Sequence, residues 1–155
     1  MAGSEAVLDI NERVRRLEAR EAIADLVHRY ALNIRRGRPQ DCADLFTEDA
    51  SFAIRDTDSP DATEITERAH PKGRAAVMDY VQKSSSSGFR VVPMIRNLLV
   101  EIDGRTATAT SLMSSRTWPA GAEVFGEYQD SFREEDGRWL FSGRVFTMVR
   151  RAQPK

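Results

Sequence analysis

A tyrosine and an asparagine on one predicted helix are the first residues whose types suggest chemistry. In the segment LVHRYALNIRRG, residues 26–37, Tyr30 recurs with Leu26, Val27 and Ile34 at helical spacing, which predicts a buried stripe. Asn33 lies beside that stripe, and asparagine is a poor helix former that needs a hydrogen-bonding reason to be there. One alternative is that Asn33 caps a nearby backbone group and the Tyr30 hydroxyl reaches water. The other is that both face a pocket, where Asn33 positions a substrate oxygen and Tyr30 donates or carries a proton.

Arg96, Asn97 and Arg116 lie in predicted strands and are candidates for the electrostatic part of such a site. Adjacent residues of a regular strand face opposite sides, so only one of Arg96 and Asn97 can face inward. An inward arginine stabilises a developing phenolate, enolate or carboxylate, and it lowers the pKa of a nearby tyrosine. A tyrosinate held by a guanidinium would then allow base catalysis without histidine. The alternative is a solvated arginine that pairs across the sheet.

Tyr128 and Asp130 lie two residues apart and therefore share one face of a predicted strand. The Asp130 carboxylate can act as a base, or it can pair with an arginine on the neighbouring strand. We favour the structural salt bridge.

His70 lies in an acidic segment, residues 56–72, that is rich in turn formers and has little periodicity. A loop of this length usually serves as a lid or is mobile. If it folds over a pocket, His70 enters the site as a general acid–base, and otherwise it is an exposed loop histidine. His28 should face away from Tyr30, about 200° around the helix. The acids of the segment match no calcium or zinc ligand spacing, so we predict no metal site.

Three helices are predicted before a long run of strands. The first spans residues 12–36 and ends at Gly37, the second is the short segment PQDCADLF that begins at Pro39, and the third is GRAAVMDYVQK. A first strand is predicted around residues 51–55.

The second half of the chain predicts an antiparallel meander. Asp103-Gly104 and Asp136-Gly137 are strong β-hairpin signals. Pro93 indicates a bulge or an edge position, and Gly126 and Gly143 indicate bends. The predicted class is α+β, with a cone-shaped, curved antiparallel or mixed sheet that carries three helices and encloses a pocket. We predict one domain over residues 1–155, with residues 1–11 as a flexible or helical extension.

Bulk composition narrows the class of function. A formal net charge of −1, with acids interspersed among the basic pairs, argues against nucleic acid and anionic lipid as partners. Cys42 is the only cysteine, so no internal disulfide is possible, and no stretch approaches the roughly 20 apolar residues of a membrane span. We expect a cytoplasmic protein. The lack of a glycine-rich phosphate loop, a nucleophile elbow or a Cys–His pair disfavours nucleotide-dependent and Ser/Cys hydrolase chemistry, and we expect no cofactor.

The segment LEAREAIADLVHRYALNIRRGRPQDCADLFTEDASF near the start and GEYQDSFREEDGRWLFSGR near the end carry a family resemblance. Over about residues 12–150 the chain resembles the SnoaL-like family of the nuclear-transport-factor-2-like superfamily. It also resembles scytalone dehydratase and the small subunits of ring-hydroxylating dioxygenases. The resemblance implies the cone fold, and it matches Arg144 to an arginine common in the family, which can equally be the partner of Asp130.

The departures from that family concern the acid–base pair. Catalytic members that resemble scytalone dehydratase carry an aspartate where this chain has Asn33. They also carry a histidine, four residues before the asparagine that matches Asn97, where this chain has Pro93. The resemblance therefore implies that an Asp–His mechanism does not carry over.

Three functions remain open at this point. The first is a cofactor-independent lyase or isomerase that acts on a small hydroxylated aromatic or polycyclic compound. Tyr30 would be its proton carrier, assisted by Arg96 or Arg116. The second is a non-catalytic binding module, and the third is a structural subunit of a ring-hydroxylating oxygenase. A homodimer or homotrimer is expected. Large apolar residues of the sheet would favour an aromatic or alicyclic ligand wherever they line the cone: Phe52, Phe89, Met94, Met113, Trp118, Phe125, Phe146 and Met148.

Overall fold

Three helices lie against one curved six-stranded sheet in the structure, a computed structural model that describes residues 7–61, 63–86 and 90–149. The helices are α1 (Ile10–Arg36), α2 (Pro39–Ala43) and α3 (Arg74–Ser86). The strands are β1 (Phe46–Thr57), β2 (Thr66–Ala69), β3 (Arg90–Asp103), β4 (Thr106–Trp118), β5 (Glu123–Glu135) and β6 (Arg138–Val149). Their order in the sheet is β2-β1-β6-β5-β4-β3, and only the β1–β6 pair is parallel among these strands. The predicted α+β class is confirmed.

Both ends of α1 are fixed by local chemistry. The Asp9 side chain accepts a hydrogen bond from the Glu12 backbone N–H at 2.9 Å, which satisfies one free donor of the first turn. Gly37 adopts φ 65°, a left-handed conformation that glycine tolerates without a Cβ clash, and it ends the helix where the sequence predicted. The helix begins at Ile10, two residues before the predicted start. Its buried face consists of Ala19, Ile23, Leu26, Val27, Tyr30 and Ala31.

The prediction of one long loop over residues 56–72 is wrong. Thr66–Ala69 form β2, which pairs antiparallel with β1, and the Phe52 N–H donates to the Pro71 carbonyl at 3.0 Å. The first strand is also longer than predicted. Sequence periodicity gave no signal for β2 because it is a short edge strand whose side chains are mostly exposed, so no apolar alternation marks it.

The turns of the meander lie where the sequence placed them. Gly104 has φ 59° in the β3–β4 hairpin, and Asp136 and Gly137 have φ 49° and 73° in the β5–β6 hairpin. Pro93 lies in β3, the edge strand, as predicted. A β-bulge in β3 that the sequence did not indicate places Asn97 at φ 52°.

An aromatic cluster forms part of the buried core between α1 and the sheet. The Phe46 and Phe141 rings stack with centroids 5.0 Å apart, and Tyr30 meets Phe46 edge to face at 5.9 Å. Phe52 completes this cluster at 6.2 Å from Tyr30. Within the described residues, no helix is long and apolar enough to cross a membrane.

Candidate functional site

A cavity of about 260 Å³ lies between α1, α3 and the inner face of the sheet. All three tyrosines of the chain, Tyr30, Tyr80 and Tyr128, line it. The rest of the wall is mainly aliphatic and aromatic, with Ser84 and Ser85 at the end of α3. Of the apolar residues proposed to line the cone, Phe52, Met113, Phe146 and Met148 do so.

An ion pair is buried behind two of these tyrosines. The Arg144 guanidinium donates from Nε and Nη2 to the two carboxylate oxygens of Asp130, at 2.8 and 3.0 Å, and both side chains are fully shielded from solvent. The guanidinium carbon lies 3.8 Å from the ring centroid of Tyr128 and 4.4 Å from that of Tyr30. The cation therefore contacts two aromatic faces whose rings also form the cavity wall.

The Asp130–Arg144 pairing comes from strand register. Asp130 of β5 lies directly opposite Arg144 of β6, and both face inward. Burial alone would lower the pKa of Arg144, but the Asp130 carboxylate reverses this effect and raises that pKa, so Arg144 stays charged. The structural role that the sequence analysis favoured for Asp130 is the one that this geometry supports.

Both buried tyrosines remain protonated near neutral pH. Burial raises the pKa of Tyr30 well above its usual value, and the neighbouring Tyr128 adds to the rise, whereas Arg144 opposes it. Burial likewise raises the pKa of Tyr128, again against the effect of Arg144. A resting tyrosinate, the base that the sequence analysis considered, is therefore disfavoured because desolvation outweighs the nearby cation.

The hydroxyls of Tyr30 and Tyr128 have no hydrogen-bond partner among the residues that the structure describes. Neither hydroxyl oxygen is fully shielded from solvent. Two other polar atoms of this region are sealed and unpaired, namely Ser111 Oγ and Arg144 Nη1. Ser111 faces inward on β4, directly opposite Tyr128. The phenol hydroxyls are thus donors that a bound molecule can reach.

Asn33 does not line the cavity with Tyr30. A helix turns about 100° per residue, so Ile34 lies about 40° from the direction of Tyr30, and Asn33 lies about 60° away on the other side. Ile34 takes the place on the cavity wall, and Asn33 is half-buried beside it. The expectation that Asn33 lies in the pocket is therefore corrected, because its direction on the helix points past the cavity wall.

The strand arginines face away from the cavity. Pro93 and Ile95 point inward on β3. Arg96, the next residue, therefore faces the outer side of the sheet, where it pairs with Leu112 of β4. Arg116 is also exposed and lies 3.6 Å from Glu123 in an ion pair.

Two further residues proposed as binding residues lie at the surface. Asn97 is exposed in the β3 bulge, and Trp118 is 70% exposed at the end of β4. Met94 and Phe125 are exposed too, and Phe89 lies outside the described residues. The expected inward positions are corrected: strand alternation directs Met94, Trp118 and Phe125 outward, and the β3 bulge turns Asn97 to the surface.

His70 follows β2 and is half-buried, with Nδ1 3.4 Å from a Glu67 carboxylate oxygen. It is not part of the cavity wall, and His28 is exposed on α1. No group of three potential metal-ligating side chains occurs in residues 7–61, 63–86 and 90–149.

Tyr80 is a wall residue that the sequence analysis did not single out, although it lies in the predicted third helix. It lies three residues after Val77, a buried residue of α3. The signal that would have found it is the tyrosine itself, since a phenol on a buried face needs a polar partner or an opening.

Comparisons with known proteins agree with this architecture. The SnoaL-like domain family matches residues 15–145. Rv3472, a protein of unknown function from Mycobacterium tuberculosis, is 25% identical with a TM-score of 0.72, over 94% of this chain and 78% of that one. A proposed scytalone dehydratase from Novosphingobium aromaticivorans is 21% identical with a TM-score of 0.64, over 90% and 94% of the two chains.

The hexachlorocyclohexane dehydrochlorinase LinA is 17% identical with a TM-score of 0.67, over 92% of this chain and 97% of that one. No curated protein matches the sequence. Structural likeness at these identities supports the fold alone. The family match covers most of the chain, however, and it shows that the chain belongs to the SnoaL-like domain family.

Proposed function

We propose that the protein is a lyase or isomerase that binds a small, uncharged, ring-containing compound with an oxygen acceptor. The observation that carries this proposal is the convergence of Tyr30, Tyr80 and Tyr128 on one otherwise apolar cavity. Pockets of this kind bind apolar bodies and orient them with a few polar groups. At about 260 Å³, the cavity favours a compound of one or two rings.

The charge of the wall supports an uncharged ligand. None of the described residues that line the cavity is an acid, a histidine, a lysine or an arginine. The nearest cation, Arg144, is already paired with Asp130. A charged ligand would lose its hydration without a direct counter-ion on the wall, whereas a carbonyl, ether or hydroxyl oxygen can accept from a phenol.

The proposed step uses Tyr30 as a proton carrier. In an elimination of water, the Tyr30 hydroxyl gives its proton to the leaving hydroxyl, and the transient phenolate takes the proton from the neighbouring carbon as the double bond forms. Tyr30 is thereby regenerated, and the products are an alkene and water. The guanidinium 4.4 Å from the ring centroid would stabilise the transient phenolate, and Tyr128 would donate to a second substrate oxygen. Arg144 thus takes the role that the sequence analysis gave to Arg96 or Arg116.

A second candidate is a binding protein without turnover. It is favoured by Pro93, which lies on the cavity wall at the position of the histidine that the family resemblance implies. The absence of a carboxylate or imidazole among the described wall residues agrees with this alternative.

One experiment separates the two candidates. Purified protein is titrated with indane and with 1-indanone by calorimetry, and it is incubated with 1-indanol while alkene formation is followed by mass spectrometry. The proposal expects 1-indanone to bind more tightly than indane and 1-indanol to lose water. Binding without turnover of 1-indanol or of related fused-ring alcohols would favour the binding protein. No binding of either bicyclic probe would contradict both candidates.

A further inference from the structure

The Phe146 ring, which lines the cavity, lies against Gly126 of β5. Gly126 is buried on β5, directly opposite Met113 of β4 and Met148 of β6, which both line the cavity. Phe146 of β6 also lines it. The Phe146 ring is therefore part of the wall, and Gly126 lies behind the ring without lining the cavity.

Space, and not backbone conformation, requires glycine at position 126. The described glycines with positive φ do not include Gly126. A Cβ added there would lie 2.5 Å from Phe146 Cε2 and 2.8 Å from Phe146 Cζ. It would also lie 2.6 Å from the Thr147 carbonyl oxygen. Carbon atoms pack at about 3.5–4.0 Å, so the tip of the ring occupies the volume of a missing side chain.

The Phe146 ring is held against the wall from a second side. Its centroid lies 4.8 Å from that of Tyr128, with the ring planes tilted by 35°. Gly126 and Tyr128 thus support the ring from the sheet, and its remaining side faces the cavity. Any side chain at position 126 would push the ring into that space.

We propose that Gly126 is a specificity-determining residue that sets the size of the ligand by letting the Phe146 ring lie flat against the sheet. The inference rests on the proposed function, because it concerns the same cavity. It assigns the site to two-ring compounds. If the Phe146 ring were displaced into the cavity, two-ring compounds would no longer fit and only single-ring compounds would bind.

The test is a double-mutant cycle with two ketones of different size as probes. Calorimetry measures the affinities of cyclopentanone and 1-indanone for the wild type, Gly126→Ala, Phe146→Leu and the double variant. Gly126→Ala should lower the affinity for 1-indanone by about tenfold or more and leave the affinity for cyclopentanone within about twofold, because only the larger ketone needs the space. In the Phe146→Leu background, the same glycine substitution should change 1-indanone affinity by less than about twofold.

The cycle separates two effects of Gly126→Ala, the displacement of the Phe146 ring and the clash with the Thr147 carbonyl oxygen. The clash with the Thr147 carbonyl remains in the Phe146→Leu background, so an equal loss of 1-indanone affinity in both backgrounds would overturn the proposal. Unchanged 1-indanone binding by Gly126→Ala would also overturn it, while the proposed function would stand. If the wild type bound neither ketone, the proposed function would fail and the inference with it.

Phe146→Leu alone provides a test that does not depend on the folding of Gly126→Ala. Removing the ring should enlarge the cavity, so 9-fluorenone, a three-ring ketone, should bind at least about tenfold more tightly than it binds the wild type. No gain for this larger ketone would overturn the size role of the Gly126–Phe146 contact.

Discussion

Arg144 and Asp130 form a two-bond ion pair from neighbouring strands, at 2.8 and 3.0 Å, in a part of the core that water does not reach. The pair lies behind Tyr30 and Tyr128, so the Arg144 guanidinium acts electrostatically on these two rings without being exposed in the cavity. Its first consequence concerns stability, because each charge is tolerated only through the other.

Asp130→Ala should destabilise the fold by about 3–5 kcal/mol, since it leaves the Arg144 guanidinium buried without a counter-ion. Urea unfolding followed by circular dichroism measures this loss. Asp25→Ala is the matched control, because it removes the carboxylate from the exposed Arg29–Asp25 pair and should leave the unfolding midpoint near that of the wild type. Similar small effects of both substitutions would show that the buried pair is not needed for folding.

The stability of the protein should fall as pH rises above about 9. Burial, with a smaller effect of Asp41, raises the pKa of Cys42 from 9.0 to about 12, and burial raises the pKa values of Tyr30 and Tyr128 above 10.0. The folded state therefore holds more protons than the unfolded state in this range, so each such group lowers the free energy of unfolding by up to about 1.4 kcal/mol per pH unit.

The decline should begin above pH 9 with Cys42 and steepen above pH 10 with the tyrosines. Urea unfolding between pH 8 and pH 11 measures the slope. Cys42→Ala should remove the decline between pH 9 and pH 10, and Tyr30→Phe should reduce the slope above pH 10. A free energy of unfolding that stays constant over this range would contradict the burial of these groups.

Tyr30→Phe should lower turnover of a fused-ring alcohol by about a hundredfold or more, because phenylalanine keeps the ring but cannot transfer a proton. The same substitution should lower the affinity for 1-indanone only by about fivefold, the effect of one hydrogen bond, and leave the affinity for indane unchanged. Asn33→Ala is the control on the same helix, because Asn33 lies off the wall and its loss should leave both measurements unchanged. Equal turnover by Tyr30→Phe and the wild type would remove the proton-carrier role.

Four further polar residues that lie outside the cavity should prove dispensable for ligand binding. Arg96→Ala, Arg116→Ala, Asn97→Gly and His70→Asn should each leave the affinity for 1-indanone within about twofold of the wild type. Asn97→Gly keeps the left-handed conformation of the bulge, where φ is 52°. A tenfold loss in any of these variants would place its side chain at the site in solution.

The sequence alone determined the elements that depend on local signals. Gly37 ended α1, Pro39 began α2, and the Asp103-Gly104 and Asp136-Gly137 pairs fixed two hairpins, because capping and turn chemistry act within a few residues. The family resemblance supplied the cone and its pocket. Tyr30 was selected as a wall residue from helical spacing together with that resemblance.

Tertiary structure decided which polar side chains meet. The Asp130–Arg144 contact depends on the register of β5 against β6, and the exclusion of Arg96 and Arg116 depends on which face of each strand turns inward. Ile34 lies on the cavity wall and Asn33 does not, although they are only about 100° apart on one helix, a difference that a broad apolar stripe does not resolve. Register and rotation are set by packing between segments far apart in the chain, and for that reason local patterns predicted the scaffold but only part of the site.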